Sequence, residues 1–247
     1  MSTQTLDWTD PHVPGPHAPA PPGEGLRARK KRLMRRQLSD TATRMFLERG
    51  FDAVRVTDVA EACGVSEKTV FNYFPTKESL VLDRLETTMA SLRTGLADPQ
   101  IPPVPAALRI LDRELSVMTA QLGGHDDPGG VARAILRFGD LIRATPSLRA
   151  YQSDMTGQFV SVAAEVLAAR AGMSADDPEP QVAARALLGL WHVQAESLRK
   201  HLDGDGAPTP ARVRELVTAD VRRAARLIDS GLRSFATRGG RDDEEAR

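Results

Sequence analysis

The sequence has a single cysteine, Cys63, and only 4% aromatic residues among 247. One cysteine excludes a disulfide framework and a cysteine-based structural metal site within one chain, and it favours a reducing compartment. No apolar run approaches the roughly 20 residues that a membrane helix needs. The N-terminus also lacks the basic and apolar regions of a secretory signal. These absences predict a cytoplasmic protein with no membrane partner.

Motifs of enzymes and of cofactor sites are absent as well. No nucleophile and base stand in a known catalytic arrangement, and no metal-ligand spacing occurs. The paired glycines near residues 123 and 130 lack the strand-to-helix context of a phosphate-binding loop. We therefore expect no enzymatic activity, no catalytic residue and no cofactor or metal.

What the chain does contain is a helix-turn-helix pattern at residues 56–82. Two short segments with helical apolar spacing, 57–62 and 66–73, are separated by three residues, which leaves room only for a tight corner. Pro75 ends the second segment, and Thr76 can cap a following helix. A helix that begins near Leu26 and stops at Gly50 precedes the pattern. Three helices of this kind predict a DNA-binding domain.

Positive charge is concentrated just before this pattern, although the formal net charge of the chain is zero. Residues 26–85 carry 13 Lys and Arg against 8 Asp and Glu, and seven of the cations fall at 27–36 with no acid among them. The seven are either a solvated helix end or contacts to DNA phosphates. Phosphate contact is favoured because uncompensated cations repel one another beside a DNA-reading motif.

The motif residues carry a specific family resemblance. GFDAV followed by DVAEACGVSEKTVFNYFPTKESL closely resembles the DNA-binding domain of the TetR family of bacterial repressors, over about residues 27–85. A Gly-Val-Ser turn, a Thr in mid-helix, a Tyr-Phe-Pro exit and a Lys-Glu start stand in fixed register. The resemblance implies that double-stranded DNA is the partner. The predicted DNA-binding residues are Arg55, Thr57, Ser66, Glu67, Lys68, Thr69, Phe71, Asn72, Tyr73 and Lys77.

The residue before the second helix departs from the family pattern. Many members have Ser or Thr where this chain has Arg55, with an acid three residues on, and the two side chains form a capping box. The acid, Asp58, is present here. Either Thr57 caps a slightly shorter helix, or Arg55 serves as another phosphate contact.

The remainder of the chain reads as helices separated by Pro and Gly breaks, so the predicted fold class is all-α with about nine helices. An N-terminal three-helix domain would precede a helical domain for ligand binding and dimerisation. Further helices are expected at 77–96, 104–122, 131–144, 146–171, 181–202 and 211–236, with a loop at 123–130. The predicted boundaries are 1–25 for a disordered proline-rich tail, 26–82, 83–237, and 238–247 for a charged flexible tail.

Family resemblance also implies a homodimer formed by the last two helices and a near-palindromic operator. Two recognition helices about 34 to 36 Å apart would read successive major grooves. Apolar residues of helices four to seven either form ordinary core or line a site for a small apolar or amphipathic ligand. TPSLRAYQSDMTGQFVSVAAEVLAAR resembles, more weakly, the sensor half of regulators that respond to acyl-coenzyme A thioesters. The candidate ligand residues are Met89, Leu92, Leu111, Leu115, Met118, Phe138, Tyr151, Met155, Phe159 and Trp191.

The first functional hypothesis is a sequence-specific repressor that a ligand releases from its operator. Ligand binding would shift the fourth helix and alter the spacing of the recognition helices. The alternative is a DNA-binding regulator that a protein partner controls, with no small-molecule effector. Stabilisation of the purified protein by a metabolite would separate the two.

Overall fold

The computed structural model describes residues 25–83, 85–123, 128–203 and 209–232 of the chain. Every regular element in these ranges is helical, which confirms the all-α prediction. Apart from Gly25, the two predicted tails lie outside the described residues. The α-helices of the described ranges are α1 Leu26–Arg49, α2 Val56–Ala62, α3 Glu67–Tyr73, α4 Leu85–Ala97, α5 Pro103–Gly123, α6 Pro128–Ala144, α7 Pro146–Ala171, α8 Pro178–Leu202 and α9 Pro210–Leu232.

The helices group into two compact units. The first contains α1, α2, α3, α6 and the start of α7 as far as Tyr151. The second contains α4, α5 as far as Thr119, α7 from Gln152, α8 and α9. The predicted domain boundary at residue 82 stays a prediction. The first compact unit differs from the predicted domain by including the end of α5, α6 and the start of α7.

Helix α1 enters the core of the first unit only in its second half. Leu38, Ala42 and Phe46 recur at four-residue spacing and are almost completely buried. The same core contains Ile142 from α6 and Leu148 from α7. Arg137 of α6 donates through Nη2 to the carbonyl oxygen of Leu47 at 2.7 Å, which satisfies one of the free carbonyls at the end of α1.

The helix predicted at residues 77–96 is wrong in its first part. A single 3₁₀ turn, Glu78–Leu80, follows α3, and the α-helix begins only at Leu85. The turn is closed by reciprocal bonds between Thr76 and Ser79, whose backbone N–H groups donate to each other's hydroxyl oxygens at 3.2 Å. The Ser39 hydroxyl of α1 donates to the Leu80 carbonyl at 2.9 Å, so that oxygen is held by tertiary structure and not by a continuing helix.

The other predicted helices are close to the observed ones. α7 has the predicted bounds, and α5 and α8 extend the predicted segments by one to three residues. The loop predicted at 123–130 is too long, because Pro128 already begins α6. A proline is well tolerated in the first turn of a helix, where its missing N–H would have no partner.

In the second unit, Arg170 of α7 ties together the end of α4 and the loop that follows. Its two terminal nitrogens donate to the carbonyl oxygens of Leu96 and Ile101, each at 2.8 Å. Leu96 is fully buried beside this contact. None of the helices in the described ranges combines the length and the apolar character that crossing a bilayer requires.

Close packing of α4 against α5 makes Gly95 a sensitive position. A Cβ atom on Gly95 would lie 2.7 Å from Cδ1 and 2.9 Å from Cγ1 of Ile110, which is buried. Gly95→Ala is therefore expected to strain the core, whereas Gly157→Ala on α7, where no atom lies within 4 Å, should gain about 0.5 to 1 kcal/mol of helix stability. The first variant should be less stable than the second by about 1 to 3 kcal/mol in urea unfolding. Equal stabilities would contradict the packing.

Candidate DNA interface

The α2–turn–α3 segment is anchored to the first unit by its inward side. Val59 and Ala60 of α2, Val70 of α3 and Phe74, which directly follows α3, are buried in the shared core. Gly64 adopts φ 66° in the turn, a left-handed conformation that side chains with a Cβ rarely adopt. The two helices therefore meet at a tight corner, as predicted for a helix-turn-helix.

Helix α3 begins with a well-formed cap. The Ser66 hydroxyl oxygen accepts a hydrogen bond from the Thr69 backbone N–H at 3.1 Å, and the two hydroxyl oxygens lie 2.8 Å apart. Ser66 and Thr69 thus use part of their hydrogen-bonding capacity to fix the start of the helix. Four side chains are left on the outer face, and all are exposed: Glu67, Lys68, Phe71 and Asn72.

Phe71 is unusual on this face, because it is a large apolar side chain with 43% of its surface exposed. Val70 and Phe74, its neighbours in sequence on the inward side, are fully buried. An exposed aromatic ring beside Lys68 and Asn72 combines apolar and polar groups on one narrow surface. Such a surface fits the major groove of DNA, which presents both hydrogen-bonding groups and thymine methyl groups.

The start of α2 is capped without the Ser or Thr of the family pattern. Arg55 is the N-cap residue and the helix begins at Val56, so Thr57 does not cap a shorter helix, which was one of the two alternatives. The Asp58 carboxylate accepts the Arg55 backbone N–H at 2.8 Å, which is half of a capping box. A guanidinium has no acceptor, so the Arg55 side chain cannot supply the other half. That side chain is 81% exposed, and its role as a phosphate contact stays a prediction.

The bond from Arg55 makes the contribution of Asp58 depend on pH. The backbone N–H of Arg55, helped by the nearby guanidinium, lowers the pKa of Asp58 from its ordinary value of 3.8. A carboxyl group with a lower pKa in the folded state stabilises the fold above its ordinary pKa, and this stabilisation is lost as the pH falls through the folded value. Asp58→Asn should therefore unfold more easily than the wild type at neutral pH, and the difference should shrink below about pH 4. A difference in urea midpoint that did not change with pH would contradict this.

Lys77 is held within the first unit. Its Nζ donates to the Phe51 carbonyl oxygen at 2.6 Å and lies 4.3 Å from the centre of the Phe51 ring. Phe46 is close to the same ammonium, at 5.6 Å. An ammonium has three donors, so the contact to Phe51 leaves others for a phosphate. The predicted role of Lys77 in DNA binding therefore stays a prediction.

Arg35 of α1 is a residue whose role the sequence did not reveal. Its Nη1 donates to the carbonyl oxygen of Tyr73, the last residue of α3, at 2.8 Å. Its Nε donates to both carboxylate oxygens of Asp83, at 2.8 and 3.0 Å, and its guanidinium lies 4.6 Å above the Phe74 ring. The Asp83 side chain is only 5% exposed. Arg35 thus links α1 to the end of α3 through Tyr73, and to Asp83, which follows the 3₁₀ turn.

A signal for this role is present in the sequence. Arg35 precedes Leu38 by three residues and Ala42 by seven, so it shares the face of α1 that enters the core. Of the cations on this side of α1, Arg35 lies nearest to the buried Leu38, which favours an internal partner for it. Tyr73 itself is half-buried, and its predicted contact to DNA stays a prediction.

The candidate ligand residues divide between the two units. Leu92, Leu111, Leu115 and Met155 are buried in the second unit, and the Trp191 indole N–H there donates to Glu114 Oε2 at 3.0 Å. The others are half-buried in their respective units: Met89, Met118, Phe138, Tyr151 and Phe159. Open grooves occur between α1 and α6 and along α8 and α9, and none of the ten candidates lines either groove. A ligand site at these residues stays a prediction.

Comparison with protein families gives two matches. The model described as "Bacterial regulatory proteins, tetR family" matches residues 38–83, which contain the helix-turn-helix. The model of the MftR C-terminal domain matches residues 109–232, half of the chain. The two matches lie in sequence order and do not overlap.

Two relatives of the chain are transcriptional regulators. The chain is 32% identical over 191 residues to the regulator TcmR of Streptomyces glaucescens, which covers 72% of this chain and 81% of the relative. It is 28% identical over 170 residues to the mycofactocin biosynthesis transcriptional regulator MftR of Mycobacterium tuberculosis, which covers 68% and 81%. A solved TetR transcriptional regulator from a Rhodococcus species aligns at 18% identity and a TM-score of 0.42, over 83% of this chain and 97% of that one.

Proposed function

Because this chain belongs to the TetR family of bacterial transcriptional regulators, we propose that it is a homodimeric repressor released from a near-palindromic operator by a small ligand. It is a DNA-binding regulator and not an enzyme. One observation carries the proposal for DNA recognition. α3 has one face buried in the core and presents Lys68, Phe71 and Asn72 on the other, each exposed to solvent.

The exposed residues of α3 have chemistry suited to reading bases. Asn72 can pair with adenine, Lys68 can reach the acceptors of guanine, and the Phe71 ring can contact a thymine methyl. Glu67 would accept a hydrogen bond from a cytosine amine or would exclude other bases. Thr69, whose hydroxyl contacts Ser66, has its methyl group left for a thymine.

Residues around the edge of α3 are proposed to hold the DNA backbone. Arg55 and Thr57 lie at the start of α2, and Ser66 is exposed at the start of α3. Tyr73 and Lys77 follow at the far end. Contacts of this kind set the position and register of the protein on DNA and do not select a sequence.

Dimerisation through α8 and α9 is proposed from the apolar surface that these helices expose. Leu227 on α9 is 83% exposed and Val182 on α8 is 66% exposed in the single chain. Such exposure of large apolar side chains is costly in water and typical of surfaces that associate. Two-fold association would give the protein two copies of α3, and two adjacent half-sites of DNA require a spacing of about 34 to 36 Å between such recognition helices.

Introducing a charge at Leu227 tests whether this surface forms the dimer interface. Leu227→Glu should convert the dimer to a monomer at micromolar concentration, because it buries an unpaired carboxylate at the interface. Arg226→Glu, a charge change at the neighbouring exposed position, is the matched control and should stay dimeric. The two variants would be compared by sedimentation velocity. A dimeric Leu227→Glu variant would contradict an interface at Leu227.

The ligand is proposed to be small and apolar or amphipathic, with an acyl-coenzyme A as a specific candidate. The apolar lining expected from Leu92, Leu111 and Met155 supports this class. Control by a protein partner remains the alternative. The region proposed for ligand binding and dimerisation is 83–237, and the proposed location is the cytoplasm.

Thermal unfolding against a panel of metabolites separates the two forms of control. A ligand at 100 times its dissociation constant should stabilise the folded protein by about 2.7 kcal/mol. The panel contains free fatty acids, acyl-coenzyme A thioesters and coenzyme A alone. Comparing them separates the stabilisation due to the acyl chain from that due to the nucleotide. The absence of stabilisation by every compound would favour a protein partner.

Selection from random DNA tests the proposed reading of sequence. The purified dimer should enrich a two-fold symmetric site and bind it about 10³-fold or more tightly than a random duplex at physiological salt. Adding a compound that stabilises the protein should weaken binding to the selected site. Equal affinity for the selected site and the random duplex would overturn the proposal.

A further inference from the structure

Twelve residues at the start of α1 form a helical arm that lies outside the core. The arm is residues 26–37, and the first buried residue of α1 is Leu38. Twelve helical residues extend about 18 Å. Leu26 is 77% exposed and Leu33 is 48% exposed, whereas Met34, close to the inner end of the arm, packs against the core.

The positive charge of the arm destabilises its own helix. Seven of the twelve residues are Lys or Arg, none is acidic, and the first turn has no acid. The N-terminus of a helix has a partial positive charge, so cations in the first turn are unfavourable. Neighbouring cations four residues apart add further repulsion. An anion bound along the arm would relieve both effects.

The cations of the arm differ in what they already contact. Arg35 is used within the fold by Asp83 and Tyr73, and Arg36 pairs with Asp40 of the same helix. Four others are exposed and form no ion pair with any residue in the described ranges: Arg27, Arg29, Lys30 and Lys31. These four have their charge and donors available to a ligand.

Helical spacing places two of these four cations, Arg27 and Lys31, on the same side of α1 as Arg35. Lys31 precedes Arg35 by four residues and Arg27 precedes it by eight, so the three lie along one side of α1. Arg35 faces the last residue of α3, since its Nη1 donates to the Tyr73 carbonyl oxygen at 2.8 Å. Arg27 and Lys31 therefore continue, over about 12 Å, from the end of the helix that presents Lys68 and Asn72.

We propose that Arg27 and Lys31 bind phosphates of the DNA backbone next to the groove that α3 occupies. This inference rests on the proposed function. The arm adds affinity and fixes the position of the protein, and it does not select bases, because the side chains meet phosphates that every sequence shares. Each contact neutralises one phosphate and releases the counterion held there.

The test compares two full-length double variants that lose the same charge. Arg27→Gln/Lys31→Gln removes the two cations of the arm and keeps good helix formers in α1. Arg109→Gln/Arg113→Gln removes two arginines from α5 in the second unit and is the control. Binding to a random-sequence duplex is titrated at several salt concentrations, and circular dichroism checks that both variants keep their helix content. The site selected by the wild-type protein is titrated in parallel.

For the arm variant, the slope of log affinity against log salt should become shallower by about 1 for each phosphate that is no longer neutralised, or about 2 per arm. Affinity for the selected site and for the random duplex should fall by the same factor, and the control should match the wild type. An unchanged slope would overturn the inference. Weaker binding to the selected site alone would also overturn it, since that would mean base recognition.

The random duplex keeps this test separate from the proposed function. If the wild-type protein selects no site but the arm variant still has the shallower slope on random DNA, phosphate binding by the arm is supported and the operator proposal is contradicted. If a site is selected and the slope does not change, the operator proposal is supported and phosphate binding by the arm is contradicted.

Discussion

Replacing Arg35 by methionine is expected to destabilise the chain by about 3 kcal/mol, more than the replacement of any other cation of α1. The change leaves the Asp83 carboxylate, only 5% exposed, without the guanidinium that donates to both of its oxygens. It also removes the donor to the Tyr73 carbonyl and the cation above the Phe74 ring. A buried charge that loses a partner donating to both of its oxygens has less compensation for its desolvation cost.

Urea unfolding of three variants checks this. Arg36→Gln is the matched control, because Arg36 meets Asp40 of the same helix through one long contact, from Nε to Oδ2 at 3.4 Å, whereas Arg35 donates to both oxygens of Asp83. The double variant Arg35→Met/Asp83→Leu should recover much of the stability, since it removes both charges. Equal destabilisation by Arg35→Met and Arg36→Gln would contradict the role given to Arg35.

Asn72→Ala is expected to have the largest effect on sequence recognition. A bidentate contact to a base contributes about 1 to 3 kcal/mol of discrimination, and a dimer makes it twice. The affinity for the selected site should therefore fall by roughly 30-fold or more. Asn72 is exposed on α3, so its replacement leaves the core unchanged.

The measurement is the dissociation constant of the variant for the selected site and for a random duplex. Affinity for the random duplex should change little, because phosphate contacts remain. Gln152→Ala, which removes an exposed amide from α7, is the control and should bind both duplexes as the wild type does. An equal decrease in affinity for both duplexes would place Asn72 on the DNA backbone.

Much of the fold follows from local sequence signals. Gly50 ends α1 with φ 86°, and Pro146 begins α7, so the bounds of these helices could be predicted from residues whose backbone preferences are strong. The helix-turn-helix was predictable for the same reason, together with the register of its turn. Ser66 caps α3 where a serine before a helix is expected to do so.

The features that could not be predicted depend on contacts between distant residues. The break after Leu80 follows from a hydrogen bond to Ser39, which is 41 residues away. The position of Arg35 on α1 indicates an internal contact, but its partner Asp83 is 48 residues away and is not identified by any local pattern. The sequence has no Ser or Thr at the N-cap of α2, yet half of a capping box still forms. Asp58 accepts the backbone N–H of Arg55, and any residue except proline could donate in the same way.

The central claim is that two copies of α3 read adjacent major grooves of one DNA site, and a hydroxyl-radical footprint of the wild-type protein on its selected site tests it most directly. Two protected half-sites related by two-fold symmetry are expected, with centres about 10 to 10.5 base pairs apart or a multiple of that distance. A single protected half-site, or protection that does not depend on sequence, would contradict it.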